Sequence, residues 1–133
     1  MIFVDASALV AIVCGEPDAP QLVARLGAGG KAITSPIAIY EAVLAIRRVL
    51  RGSLEDARQD VSDLIARAGI TVLPTSPAEA ERALDAFARF GKGQGHPAQL
   101  NMGDCFAYAA ARHHGAALLC KGDDFPQTDI RLA

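Results

Sequence analysis

The sequence predicts an α/β fold, with a central parallel sheet of about four to five strands and helices on both faces. Two observations carry this expectation. Short apolar runs alternate along the chain with longer segments of helical periodicity. The runs are continuously apolar instead of alternating with polar residues, as expected for strands covered on both faces. A length of 133 residues suits a single domain, 1–133, and can bury a core without disulfides or a structural metal.

The elements follow in order. Ile2, Phe3 and Val4 form the first strand, which ends at Asp5. Ala6 to Val13 reads as a short helix stopped by Gly15 and Pro17, with either Asp5 or Ser7 as its cap. A second helix is expected over 18–26, ended by Gly27, and a second strand over 32–34. Ser35-Pro36 is a strong helix start, with serine as N-cap and proline at the first helical position; the helix should reach Arg51, with Gly52 at its end. Ser53 and Asp56 have capping-box spacing ahead of a helix over 54–68 that Gly69 ends. A third strand is expected over 70–73. Ser76-Pro77-Ala78-Glu79 opens a helix that runs to Phe90. Three glycines and Pro97 make 91–99 a loop. Asn101 starts a helix that runs to His114, ahead of Gly115. A fourth strand covers 117–120, a turn follows at Gly122-Asp123-Asp124, and 130–132 is a short last strand.

A net charge of −2 argues against a nonspecific nucleic-acid coat protein, which would be basic. It leaves room for a nuclease whose own acids hold cations that attract phosphate. Cys14, Cys105 and Cys120 are odd in number and lack metal-ligand spacing, which suggests free thiols in a reducing, cytoplasmic compartment. The chain opens directly on its strand-like run, so no signal peptide is expected. No apolar stretch approaches the roughly 18 residues of a membrane span.

The placement of acids is the informative feature. Asp5 is the only charged residue among the first fifteen, Glu41 the only one between Ala32 and Ile46, and Asp104 the only one between Leu100 and Ala111. Glu41 has Ile37, Ala38, Leu44 and Ala45 as its helical neighbours, a face that ought to be buried. A carboxylate there is costly unless a cation or donors meet it, and Arg47 or Arg48 could serve. Asp104 stands three residues after Asn101, which is also capping-box spacing. Asp123 and Asp124 fit turn chemistry as well as a site. Taken together, Asp5 and the Asp123–Asp124 pair fall at strand carboxyl ends, and Glu41 and Asp104 fall early in helices. In a parallel sheet these positions share one edge. Four acids there would repel one another unless divalent cations neutralise them. Oxygen-only ligands suit Mg²⁺ or Mn²⁺, the usual apparatus for hydrolysing phosphodiesters.

Other chemistries fit poorly. His113 and His114, adjacent on a helix, should point in different directions and favour the helix C-terminus electrostatically. Ser7 lacks a nucleophile-elbow context, and there is no Walker loop. A haloacid-type phosphatase needs an aspartate where Ser7 stands. A receiver domain needs an acidic pair at strand one and an aspartate ending strand three, where Leu73 and Pro74 stand.

The motifs resemble a known family. FVDASALVAI resembles the opening of PIN domains in VapC-type toxins, SPIAIYEAVLAI their helix with the second acid, and NMGDCFAYA followed by CKGDDF and TDI their last acidic segments. The resemblance spans essentially the whole chain. It matches the family's acids to Asp5, Glu41, Asp104 and, by the G-x-D-F pattern, Asp124, with Asp123 as a neighbour able to substitute or assist. Ser7 matches a small polar position that supports the first acid. The resemblance implies a PIN fold and a metal-dependent endoribonuclease that cuts structured RNA, such as transfer or ribosomal RNA, to leave a 5′-phosphate. It also implies a homodimer and a VapB-type antitoxin that blocks the site. Asp5 and Asp104 would hold the metal, with Glu41 and Asp124 completing the cluster. Lys121 and Lys92 lie near the expected edge and could contact phosphates, as could Arg47, Arg48 and Arg51 on one helix. That helix is apolar over more than one stripe, so it is expected at an interface. The competing reading is a PIN-like module that binds RNA or protein without cutting.

Overall fold

Side-chain caps set the helix boundaries in the computed structural model, which covers residues 1–133. The helices are α1 (Ala6–Val13), α2 (Ala19–Ala28), α3 (Pro36–Leu50), α4 (Leu54–Ala68), α5 (Pro77–Phe90) and α6 (Met102–His113). Asp5, not Ser7, caps α1: its carboxylate accepts the Ser7 amide at 3.0 Å. Ser35 and Ser53 accept the Ala38 and Asp56 amides. Reciprocal capping boxes, Ser76 with Glu79 and Asn101 with Asp104, open α5 and α6. Each such cap is worth about 1 kcal/mol.

The ends differ from expectation in three places, one of them α6, which stops at His113 with His114 as its C-cap. α2 runs through Gly27 to Ala28 because Leu22 and Leu26 bury one stripe of it. That stripe offsets the roughly 1 kcal/mol a helical glycine costs. The glycine whose missing side chain matters is Gly29, where a Cβ would fall 1.7 Å from Ile2 Cδ1. α3 stops at Leu50, and Arg51 itself takes the left-handed conformation (φ 53°), one residue ahead of Gly52.

Four parallel strands, β1 (Ile2–Val4), β2 (Ala32–Thr34), β3 (Thr71–Val72) and β4 (Ala117–Leu119), form one sheet in the order β3-β2-β1-β4. Ile2 pairs with Ala32 on one side and Ala117 on the other. β1 and β2 are buried throughout, as their apolar runs require. β3 is a two-residue edge strand whose residues are both exposed, and Ile70 and Leu73 fall outside it. The expected last strand reduces to a single bridge between Leu118 and Leu132.

The strand order fixes where a site can form. From β1 the chain steps outward to β2 and β3, then crosses back to lay β4 on the other side of β1. Connections leave β1 and β4 in opposite directions at their carboxyl ends, the usual crevice for ligands in open α/β sheets. α6 packs on β1 and β4, with α5 along it, while α1 packs against α2, α3 and α4. Ala107, Ala109, Ala110 and Ala111 are buried in α6, so their small side chains let it approach the sheet closely. Tyr108 donates its hydroxyl to Asp129 at 2.6 Å, and Arg89 and Arg112 pair with the same carboxylate, which ties the C-terminal segment to α5 and α6. No helix is long and apolar enough to cross a membrane.

Candidate active site

Asp5 sits at the carboxyl end of β1, almost fully buried, with its amide donated to the Leu119 carbonyl of β4. Its Oδ2 accepts both the amide and the hydroxyl of Ser7, the latter at 2.6 Å. Ser7 Oγ in turn accepts the Lys121 amide at 2.9 Å. Ser7 therefore links the end of β1 to the segment that follows β4.

Glu41 on α3 and Asp104 in the first turn of α6 meet Asp5 in a cleft of about 630 Å³. Asp104 serves two purposes. Its Oδ2 closes the capping box by accepting the Asn101 amide at 3.0 Å, and its charge reaches the other acids. The structure shows the capping box, and it also places the carboxylate beside the other acids.

Burial, and to a lesser degree mutual repulsion, raises the pKa values of the acids. Burial, with added repulsion from Asp5 and Asp104, pushes Glu41 up to about 7. Burial likewise pushes Asp104 up to about 6, with Asp5 and Asp124 adding to it against the Asn101 amide. Burial raises Asp5 despite the two Ser7 donors. No lysine, arginine or histidine forms an ion pair with Asp5, Glu41 or Asp104, so the pairing of Glu41 with Arg47 or Arg48 does not form. Crowded carboxylates that form no ion pair with a protein cation fit a hard divalent ion.

The remaining expected residues divide. Asp124 is exposed at the start of the 3₁₀ turn Phe125–Gln127, and its charge reaches Asp104; Asp123 is exposed beside it. Lys121 lines the cleft, but its ammonium is held by Glu16 and by Asp18 at 3.3 Å. Lys92 lies exposed in the loop after α5, and its side chain does not line the cleft. Arg48 does line it.

The PIN domain family model matches residues 2–131. The chain belongs to the PIN-domain family. A VapC ribonuclease of Rhizobium meliloti is 47% identical, with 98% of this chain and 99% of that relative aligned. Ribonuclease VapC42 of Mycobacterium tuberculosis is 37% identical over 99% and 98%. Among solved structures, Mycobacterium tuberculosis VapC20, described as a sarcin–ricin loop cleaving toxin, superposes with a TM-score of 0.77 at 19% identity over 100% of this chain and 98% of its own. VapBC2 from Rickettsia felis, bound to a promoter DNA fragment, gives 0.75 at 14% identity over the same shares. The last two likenesses concern the fold alone.

Gly103 and Glu16 escaped the sequence reading, and Arg48 was named there only alongside Arg47 and Arg51. Gly103 is buried against Glu41, and a Cβ there would lie 1.9 Å from Glu41 Oε2. Its signal was a glycine inside a helix start, a position that usually favours a side chain. Glu16 reaches the cleft from the turn after α1, where a bend between Gly15 and Pro17 hid its direction. Arg48 lies seven residues after Glu41, hence on the same face of α3, a spacing that could have singled it out from Arg47 and Arg51.

Proposed function

We propose that this PIN domain is a divalent-metal-dependent endoribonuclease acting as the toxin of a toxin–antitoxin pair. One observation carries the reading: Asp5, Glu41 and Asp104 converge at the sheet's crevice, and none of them forms an ion pair with a lysine, arginine or histidine. Asp5 and Asp104 would hold Mg²⁺ or Mn²⁺, with Glu41 and Asp124 completing the set. When bound, such an ion supplies Lewis acidity toward a phosphodiester and neutralises the charge that develops on it.

The protein's own groups do the rest. Ser7 fixes the Asp5 carboxylate, so one ligand is preorganised before anything binds. Glu41, whose raised proton affinity makes its ionised form the stronger base, would take the proton of the attacking water. Arg48 at the cleft wall is the cation positioned to meet a phosphate of the RNA. Lys121 joins it only if it leaves Glu16 and Asp18.

The relatives bear VapC ribonuclease names, and one solved neighbour is a VapBC assembly. They support a VapB-type antitoxin; a homodimer, action in the cytoplasm and a structured RNA target such as transfer or ribosomal RNA belong to the same proposal. Tyr40 and Leu44 stand exposed one turn apart on α3 at the cleft wall, apolar side chains that a protein partner could cover. Incubating purified protein with total RNA, in Mg²⁺ or Mn²⁺ against EDTA, tests the activity beside an Asp5→Asn control. Discrete fragments that need metal and vanish in the variant support the enzyme. Intact RNA under every metal, with the protein folded, favours a module that binds without cutting.

A further inference from the structure

At the opposite end of α6 from Asp104, three ligating side chains converge. Glu79, His113 and His114 each present one donor atom, and these atoms all lie within 4.8 Å of one another. They are far from the acidic crevice: nine residues of helix separate Asp104 from His113, roughly 14 Å at 1.5 Å per residue. The cluster shares no residue with the cleft.

The sequence suggests that adjacent histidines on a helix diverge. The structure corrects this. His113 is the last residue of α6 and His114 is its C-cap, so the chain leaves the helix between them. The two rings meet edge to face, with centroids 4.9 Å apart. Opposite them, Glu79 is buried in the first turn of α5. Its Oε2 accepts the Ser76 amide at 2.7 Å and completes the capping box. Its Oε1 faces His114 Nε2 at 3.6 Å, too far for a hydrogen bond. His114 Nε2 is buried and has no hydrogen-bond partner at all.

A buried imidazole nitrogen without a partner calls for an explanation. Two donors each about 2.1 Å from a tetrahedral ion stand roughly 3.4 Å apart, close to the spacing of Glu79 Oε1 and His114 Nε2. His113 is exposed, so its ring can close the remaining distance, and its open side admits a water as fourth ligand. Two imidazoles and one carboxylate select a borderline transition ion over Mg²⁺. The negative end of the α6 dipole adds to the attraction for a cation.

We propose that Glu79, His113 and His114 form a second metal site, specific for Zn²⁺-like transition ions, that clips the start of α5 to the end of α6. The site is separate from phosphodiester cleavage and needs no RNA. It is tested by titrating the full chain with Zn²⁺ by calorimetry in excess Mg²⁺, which occupies the acidic crevice, and by the visible spectrum of Co²⁺ in its place. Two variants accompany the wild type. His113→Ala alters an exposed side chain, and Glu79→Gln keeps an oxygen for the Ser76 amide, so each retains the fold's own contacts. One equivalent of Zn²⁺ should bind the wild type, raise its Tm and give Co²⁺ a tetrahedral d–d band. Both variants should weaken binding by more than the roughly 10–100-fold that losing even an outer-shell partner costs. Absence of stoichiometric Zn²⁺ binding, or an affinity unchanged in either variant, overturns the site.

Discussion

Gly103 lies directly against the Glu41 carboxylate: a methyl group on its Cα would fall 1.9 Å from Oε2 and 2.1 Å from Cδ. The obstacle is the far end of a flexible side chain, so the fold can absorb a Gly103→Ala change by swinging Glu41 aside. Alanine also favours the helix by about 1 kcal/mol over glycine. We therefore expect Gly103→Ala to leave Tm unchanged or higher while RNA cleavage falls about 100-fold, the cost of an ångström-scale misplacement. A fluorescent RNA assay beside a thermal melt reads both. Unimpaired cleavage would mean that the position of Glu41 is immaterial.

The crowded acids make the metal-free protein sensitive to pH. Glu41 is raised to about 7 and Asp104 to about 6, from ordinary values near 4.5 and 3.8. Between the ordinary and the raised values the folded chain binds more protons than the unfolded one, so stability falls as pH rises. Tm measured in EDTA should decline from about pH 4.5 to pH 7 on account of these groups. Mn²⁺ should restore it near neutrality and do little at the acid end, where protons compete with the ion. Equal stabilisation by Mn²⁺ at both ends would show that the ion does not bind these acids.

Asp5 combines a cap with a place in the acid cluster. Asparagine caps as well as aspartate and removes a buried charge. Asp5→Asn should thus keep or raise Tm, yet reduce cleavage by about 1000-fold, equivalent to several kcal/mol of lost charge stabilisation. Asp5→Ala should share the loss of activity and also lose about 1 kcal/mol of stability, because the Ser7 amide and hydroxyl lose their acceptor.

Much of this site was legible in the sequence because each acid interrupts an apolar run, and a charge in such a run has to be accounted for. Asp5, Glu41 and Asp104 stood out for that reason, and the parallel-sheet expectation placed them on one edge. The helices were legible through their caps: Ser35-Pro36, Ser53 and Ser76-Pro77 mark the starts of α3, α4 and α5 correctly. What was hidden depends on tertiary approach. Gly103 stands out locally as a glycine in a helix start, but only the approach of α3 to α6 shows that it faces Glu41, whereas the helical Gly27 meets nothing. The direction of His114 depended on the chain leaving α6 one residue earlier than expected. The lock on Lys121 came from Glu16, more than a hundred residues away in the chain.

On the G-x-D-F pattern we propose Asp124, over Asp123, as the fourth acid. Asp124 acts on Asp104, and Asp123 is not among the charges that do. Both side chains are exposed, so neither supports the core and neutralising either should leave Tm almost unchanged. Asp124→Asn should therefore weaken Mn²⁺ binding and cut cleavage about tenfold, less than Asp5→Asn, because it stands at the open side of the cluster where solvent screens it. Asp123→Asn should stay within about twofold of the parent chain, since it removes only a surface charge in a turn. Mn²⁺ titration of the two variants separates them without reference to any RNA. If Asp123→Asn carries the larger loss, the turn after β4 presents its first carboxylate to the metal, and Asp124 serves only to start the 3₁₀ turn.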